Sequence, residues 1–388
     1  MIWQLIHIID IMLWIFIAIS VMYVFFFSMV SLFHKRKKKI TIKQVTKLNK
    51  FLILFPAYNE DRVITKSIIS FLDQNYPSDK YDVLVVSDHN KADTDEALRD
   101  LSIKLVIADY HNSSKAKAMK LAIRTIKENY DYIVILDADD VVKHNFLHNL
   151  NNACADGNRA FQCHRCAKNS DTDIAVLDGT SEEINNTIFR KAHNIIGLSS
   201  ALIGSGMCID FDWFKNNVEK LSTSGEDREL EAMLLKDGIY IHYLERIPVF
   251  DEKVSDSKNF QNQRLRWMTA QIQCLINMIP YIPKAIVKGN IDYIDKTVQQ
   301  ILIPRVFLII LPLIIAIVHT ILVPCWSIKW WCLFIILCIS LYAAIPFKLR
   351  HNVFSQKIIH IPSLFMRMFF NIFHIDTKNN DFIHTKHK

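Results

Sequence analysis

Residues 11–33 carry no charged side chain, and a helix of that length, at about 1.5 Å rise per residue, crosses the roughly 30 Å hydrocarbon layer of a bilayer. No Lys or Arg precedes the run and no small-residue cleavage site follows it, so it is expected to be a retained membrane helix rather than a secretory signal. A second uncharged run covers residues 330–347, and residues 301–323 carry Arg305 near one end, with Pro304 and Pro312 as tolerable kinks. The connection 324–329 is short enough to read as a tight external turn. This pattern predicts a membrane helix in residues 1–34, a basic linker in 35–50, a globular domain in 51–260 and an interfacial helix region in 261–290. It continues with membrane helices in 301–323 and 330–347, then an amphipathic interfacial helix and tail in 348–388.

With 51% hydrophobic and 22% charged residues, the chain is too apolar for an ordinary soluble domain and excludes a disordered or collagen-like protein. The net charge of +7 raises nucleic acid as a partner. However, the densest basic run, Lys35, Arg36, Lys37, Lys38 and Lys39, follows the first apolar segment directly, where it reads as an anchor to membrane lipids and not to nucleic acid. With three crossings, Lys284, Lys288, Lys348 and Arg350 flank the membrane on that same side, which puts the middle domain in the cytoplasm under a multi-pass cell-membrane topology. Eight cysteines without a disulfide framework agree with a reducing compartment. Residues 354–375 and 264–282 mix apolar and basic side chains as surface-lying helices do.

Between these segments, short apolar runs at 51–55, 82–86, 104–107 and 132–136 alternate with helical stretches at 61–73 and 113–130, the pattern of an α/β domain with a mostly parallel sheet. Ligands of such sheets bind beyond the carboxyl ends of the strands. Those positions hold Pro56, Ala57, Tyr58, Asn59 and Glu60, then Ser87, Asp88 and His89, then Asp137, Asp139 and Asp140. Closely spaced carboxylates repel one another unless a cation lies among them, and all-oxygen ligands suit Mg²⁺ or Mn²⁺ bridging a diphosphate. Taken alone, a solvated turn with an Asp helix cap accounts for the last cluster equally well.

In this order the motifs resemble the family 2 glycosyltransferases, inverting enzymes with a GT-A (Rossmann-like) fold, over residues 51–271. The resemblance implies that Pro56, Tyr58 and Glu60 border the nucleoside, that Asp88 recognises uracil, and that Lys115 contacts base or diphosphate. It implies that Asp137 and Asp139 hold the metal, with Asp137 also at the donor. Phe161 and Gln162 resemble a strand that approaches the sugar, and Gly204, Ser205 and Gly206 the loop under the acceptor. Gly225, Glu226 and Asp227 stand in place of threonine-glutamate-aspartate. Asp227 is then the catalytic base, because an acceptor hydroxyl must lose its proton as the new bond forms, and Glu226 is a neighbour whose charge tunes it. Without the resemblance, these residues are an acidic helix start.

Gln263, Arg266 and Trp267 match the glutamine-x-x-arginine-tryptophan motif of the cellulose, hyaluronan and chitin synthase-like polysaccharide synthases. Their spacing puts them on one helix face, with Gln263 and Arg266 expected at the donor diphosphate and Trp267 at the acceptor. An Arg/Trp membrane-surface anchor is compatible with the same residues. Three positions depart from the family pattern: the Lys115 loop lacks glycines, Gly225 replaces threonine, and the second acid after Asp88 is displaced to Asp93 or Asp95.

The resemblance implies a metal-dependent enzyme moving a sugar from a UDP-sugar to a growing polysaccharide of capsule or exopolysaccharide type. Single transfer to a membrane lipid acceptor is the alternative. A nucleotide-sugar-binding scaffold or export component is a third reading, against which a general base counts. Cys163 and Cys166 have the spacing of half a zinc site but read as a metal-free strand end, while His193 and His242 read as core histidines. Asp251 and Glu252 either line the site or belong to an ordinary loop.

Overall fold

The computed structural model describes residues 2–33, 47–223, 225–254, 257–347, 349–350 and 369–370. The apolar runs of the middle region form eight strands: β1 (Phe51–Tyr58), β2 (Tyr81–Asp88), β3 (Lys104–Ala108), β4 (Tyr132–Ile135), β5 (Val141–Val142), β6 (Ala160–Ala167), β7 (Met207–Asp210) and β8 (Ile241–Asp251). They make one sheet in the order β3-β2-β1-β4-β7-β6-β8-β5. β3, β2, β1 and β4 are parallel, as the alternating pattern predicts. β7 instead runs antiparallel between β4 and β6. The chain reaches β7 through a loop lying over the carboxyl end of β4, where Gly206 N donates to Ile135 O at 2.8 Å, so it re-enters the sheet pointing the other way.

The helices are α1 (Ile2–Leu32), α2 (Ile64–Leu72), α3 (Ala92–Arg99), α4 (Lys115–Thr125), α5 (Phe146–Cys154), α6 (Asp173–Asn185), α7 (His193–Ile195), α8 (Phe211–Asn217), α9 (Glu226–Lys236), α10 (Ser257–Met278), α11 (Ile282–Val287), α12 (Ile291–Ile301), α13 (Arg305–Leu322) and α14 (Pro324–Ala344). A π-helical stretch, Asn186–Ala192, joins α6 to α7. Because successive strand residues face opposite ways, Leu52, Leu54, Ile133 and Ile135 pack under α4 and α9, whereas Phe51, Ile53, Phe55 and Val134 pack against α2 and α5.

A third core joins α1, α13 and α14 through Ile17, Val21, Phe27, Leu308, Trp330 and Leu337. These three helices are long and apolar enough to cross a membrane. α1 lies within the expected 1–34, and its Asp10 finds partners inside the bundle: the Lys329 ammonium, and Trp330 Nε1 at 2.8 Å. One boundary differs from the sequence reading. Residues 324–329 are not an external turn but the opening of α14, whose first position is Pro324, where a proline needs no backbone donor and has its φ preset. The link between α13 and α14 is Val323 alone.

Region 261–290 forms most of α10 and all of α11; Met268, Ala270, Cys274 and Met278 of α10 are buried, the last two in the core under the sheet. Tyr23 ties α1 to α12 and α7, its hydroxyl donating to Asp295 Oδ1 at 2.7 Å and lying 2.9 Å from His193 Nε2. The basic run 35–39, the amphipathic stretch 354–375 apart from Phe369 and Phe370, and the tail lie outside the described residues.

Candidate active site

Loops after β1, β2 and β4 converge with α4, α9 and α10 around a cavity of about 680 Å³. Pro56, Tyr58, Glu60, Asp88, Lys115, Asp137, Asp139, Gly204, Glu226, Asp227, Gln263, Arg266 and Trp267 all line it. Residues more than two hundred positions apart thus meet at one sheet edge.

Lys115 opens α4 and points across the cavity floor. Its ammonium pairs with Asp137, donates to Gly204 O at 2.6 Å and lies 4.0 Å from Glu226 Oε1. Burial alone pushes the Asp137 carboxyl up, but Lys115 and Arg165 outweigh burial and hold it at about 2. Burial likewise opposes the Lys115 charge, and Asp137 and Glu226 more than restore it. Glu226, at the first position of α9, is pushed up to about 7 by burial, with Lys115 opposing and Asp227 adding to the rise. Asp227 follows in the first turn of α9: Oδ2 accepts Gly204 N at 3.1 Å and Oδ1 accepts Arg228 N at 2.8 Å. Gly204 therefore touches the lysine through its carbonyl and the aspartate through its amide.

Asp139 Oδ2 accepts Glu252 N at 2.7 Å, which brings the end of β8 to the acidic turn. Asp140 lies deeper: Oδ2 accepts Asp137 N at 2.6 Å and the Ser205 hydroxyl, while Oδ1 is buried with no hydrogen-bond partner among the described residues. Burial, then Asp137 and Asp139, push the Asp140 carboxyl well above its ordinary range. A carboxylate turn that cannot carry its full charge without help fits a hard divalent cation, and Asp137 and Asp139, at the cavity wall, are the residues that would hold it.

Several expected contacts have another place. Ser205 and Gly206 are buried and do not line the cavity. Ser205 supports Asp140, and Gly206 (φ +67°) has Cys163 and Val249 side-chain atoms 3.1 Å from where a Cβ would stand, so only glycine fits there. Gln162 does not reach the sugar side either. Its amide accepts from Ile203 N at 2.9 Å and donates to Ser205 O at 2.8 Å, clamping the loop over β4. Asp95 binds the Ser87 hydroxyl, Asp93 is exposed, and neither lines the cavity. Trp267 lines the cavity, but the Arg264 guanidinium lies 4.2 Å from its ring centroid.

Sequence reasoning missed Arg165, whose Nη2 lies 2.8 Å from Asp251 and 3.7 Å from Asp137. A lone arginine inside the strand pattern of β6, with Asp251 ahead on β8, was the available signal. Cys163 is buried in the apolar core, so the cysteine pair does not act as a unit. Cys166 instead lies with His164 and Glu183, one ligand atom of each within 4.8 Å of the others. His164 Nε2 is 2.9 Å from Glu183 Oε1, an ordinary ion pair. His193 is fully enclosed, with Nδ1 2.7 Å from Ile188 O.

A nucleotide-sized cavity at the carboxyl ends of a mostly parallel sheet, with an acidic turn and basic side chains on its wall, defines a nucleotide-sugar-transferase type of site. The chain belongs to the glycosyltransferases: residues 49–270 match the family model "Glycosyltransferase like family 2", and the domain has the GT-A fold. An N-acetylglucosaminyltransferase of Rhizobium meliloti (strain 1021) is 22% identical over 332 residues, covering 80% of this chain and 75% of that protein. The "Probable glycosyltransferase YdaM" of Bacillus subtilis (strain 168) is 30% identical over 103 residues, which span 25% of this chain and only 24% of that relative. Among solved structures, the mannosyltransferase PcManGT of Pyrobaculum calidifontis, in complex with GDP-Man and Mn²⁺, superposes with a TM-score of 0.55 at 15% identity, over 92% of this chain and 96% of that one. Three apolar helices beside this domain make the protein a membrane-associated glycosyltransferase.

Proposed function

We propose that the protein transfers a sugar from a UDP-sugar to a membrane-borne acceptor with inversion, Asp227 acting as general base at the cytoplasmic face of the cell membrane. The observation that carries this reading is the convergence of Asp137, Asp139, Lys115, Asp227 and Arg266 on one cavity that runs on between α13 and α14, where Ile309, Phe334, Leu341 and Tyr342 line it.

Asp227, held by the Gly204 amide, accepts the proton of the acceptor hydroxyl as that oxygen attacks the anomeric carbon from the side opposite the leaving diphosphate. Lys115 and Arg266 give positive charge to the departing nucleotide, and Glu226 balances Lys115 from the other side. Mg²⁺ or Mn²⁺, when held by Asp137 and Asp139, supplies charge neutralisation at the diphosphate. Tyr58, Glu60 and Asp88 border the nucleoside, and the choice of uridine follows the resemblance of Asp88. Lys284 and Lys288 at the domain end of the membrane bundle support the cytoplasmic orientation. Exposed Ile276, Ile279, Ile286 and Val287 support contact of this region with lipid.

The glutamine-arginine-tryptophan motif favours a growing polysaccharide as acceptor, whereas the apolar extension of the cavity favours an acceptor carried on a lipid. Product length separates the two: a polymer in the first case, one added sugar in the second. Purified protein in lipid, offered UDP- and GDP-sugars with Mg²⁺ or Mn²⁺, is expected to release UDP. Asp227→Asn should lower turnover by about 10²–10⁴-fold while UDP still binds. Wild-type turnover in that variant would remove Asp227 from its role, and UDP-sugar binding without any release would leave the scaffold reading.

A further inference from the structure

Where α10 meets the start of α13, three arginines line the cavity in addition to Lys115 and Arg266. Arg190 Nη1 pairs with Glu182 at 2.7 Å, and Arg264 Nη2 pairs with Asp178. Arg305, first residue of α13, binds only Ser181, its Nη2 lying 3.0 Å from the carbonyl and 2.8 Å from the hydroxyl oxygen. Two carboxylates therefore face three guanidinium groups, and among the described residues Arg305 has no carboxylate within ion-pair distance. Its electrostatic neighbours are Arg264 and Arg190, which repel it, and Glu182, which attracts it but is already paired with Arg190.

The N–H inventory points the same way. Arg190 Nε, Arg264 Nε and Arg305 Nη1 are each buried without a hydrogen-bond partner, although Arg190 and Arg264 are 2% and 9% exposed. Leaving buried charged donors unmade is costly. A guanidinium with no carboxylate within ion-pair distance, beside two more arginines that each keep an unmet donor, suits a multidentate anion such as a phosphate. The cavity beside them continues into the apolar groove lined by Phe334, Cys338, Leu341 and Tyr342 of α14.

We infer that Arg305, with Arg264 and Arg190, forms a second anion site, separate from the donor site, that holds the phosphate headgroup of an amphiphilic acceptor whose hydrocarbon chain lies along α13 and α14. This inference rests on the reading of a membrane-borne acceptor and narrows it to a phosphate-bearing lipid.

The test is native mass spectrometry of the full-length protein in neutral maltoside detergent, titrated with dodecyl phosphate. One dodecyl phosphate is expected to bind saturably, to stay bound at saturating UDP, and to resist displacement by equimolar inorganic phosphate. Arg305→Gln should weaken it at least tenfold and Arg305→Lys less, with UDP affinity retained as the measure of an intact fold. If Arg305→Gln loses UDP binding as well, Ser181→Ala, which removes only the hydroxyl steadying Arg305, replaces it with a severalfold weakening expected. Wild-type affinity in the variant that folds, displacement by UDP, or equal competition by inorganic phosphate would each overturn the site. Transfer is read separately as UDP release: failure there removes the enzymatic reading but leaves the phosphate titration standing, and the reverse holds.

Discussion

Gly225 replaces the threonine expected beside Glu226 and Asp227, and its reason is space. Its φ of −114° suits any residue, so backbone freedom does not require glycine. A Cβ there would stand 2.6 Å from Ala270 Cβ and 3.6 Å from Ala270 Cα. Carbon atoms pack comfortably at about 3.5–4.0 Å, so a side chain at 225 must push α9 and α10 apart by roughly 1 Å. Overpacking of that kind costs about 1–3 kcal/mol of stability. The larger effect is on chemistry, because α9 carries Glu226 and Asp227 while α10 carries Gln263, Arg266 and Trp267. A misplacement of about 1 Å between reacting groups costs on the order of 10²-fold. Gly225→Thr is therefore expected to lose roughly that factor in kcat for UDP release and to unfold at lower temperature. Ala270→Gly costs about 1 kcal/mol in helix propensity by itself, yet in the double variant it should recover most of the lost turnover. Unchanged kcat and Tm in Gly225→Thr, or no recovery on adding Ala270→Gly, would refute the steric argument.

Further outcomes follow from the site. Because Glu226 is pushed up to about 7, it is half-protonated near neutrality and ceases to balance Lys115 below that pH, so UDP release should fall as pH drops through about 7, and Glu226→Gln should abolish that limb. The sign for stability is opposite: a carboxyl raised in the folded state contributes stability that is fully present below its unfolded value and is lost as pH rises to about 7, so Glu226→Gln should raise Tm more at pH 8 than at pH 5. Chelation with EDTA should abolish turnover, and restored Mn²⁺ or Mg²⁺ should recover it. Asp139→Asn should require more metal for half-maximal activity, and chelator-resistant turnover would remove the metal from the proposal.

The sequence made the parallel half of the sheet legible, because β1, β2, β3 and β4 are short apolar runs each followed by polar residues, and local periodicity is enough to recognise such strands. It also marked Asp137 and Asp139 as a strand-end acidic turn, and the resemblance to a known family singled out Glu226, Asp227, Arg266 and Trp267, which the fold brings to the same cavity. The antiparallel return of β7 was not legible, because it depends on where a loop crosses β4. Arg165 escaped for the same kind of reason, being an arginine in a strand whose partner lies on β8. Asp140 was legible as part of the acidic turn, but its strain appears only once burial and Ser205 are known.

What the sequence determined by itself is the division of the chain: hydrocarbon-length apolar helices at the two ends, an α/β domain between them, and an acidic turn at a strand end. These follow from hydropathy and local period, which act over a few residues. Tertiary structure alone decided that Ser205 and Gly206 support the site rather than line it, that Ala270 forbids a side chain at 225, and that Asp10 is paired with Lys329 and hydrogen-bonded by Trp330 from the far end of the chain. It also decided that three arginines from α10, α13 and the π-helical stretch after α6 meet beside an apolar groove. The physical reason is the same throughout: burial and charge compensation depend on what packs against a group, and those neighbours lie tens to hundreds of residues away.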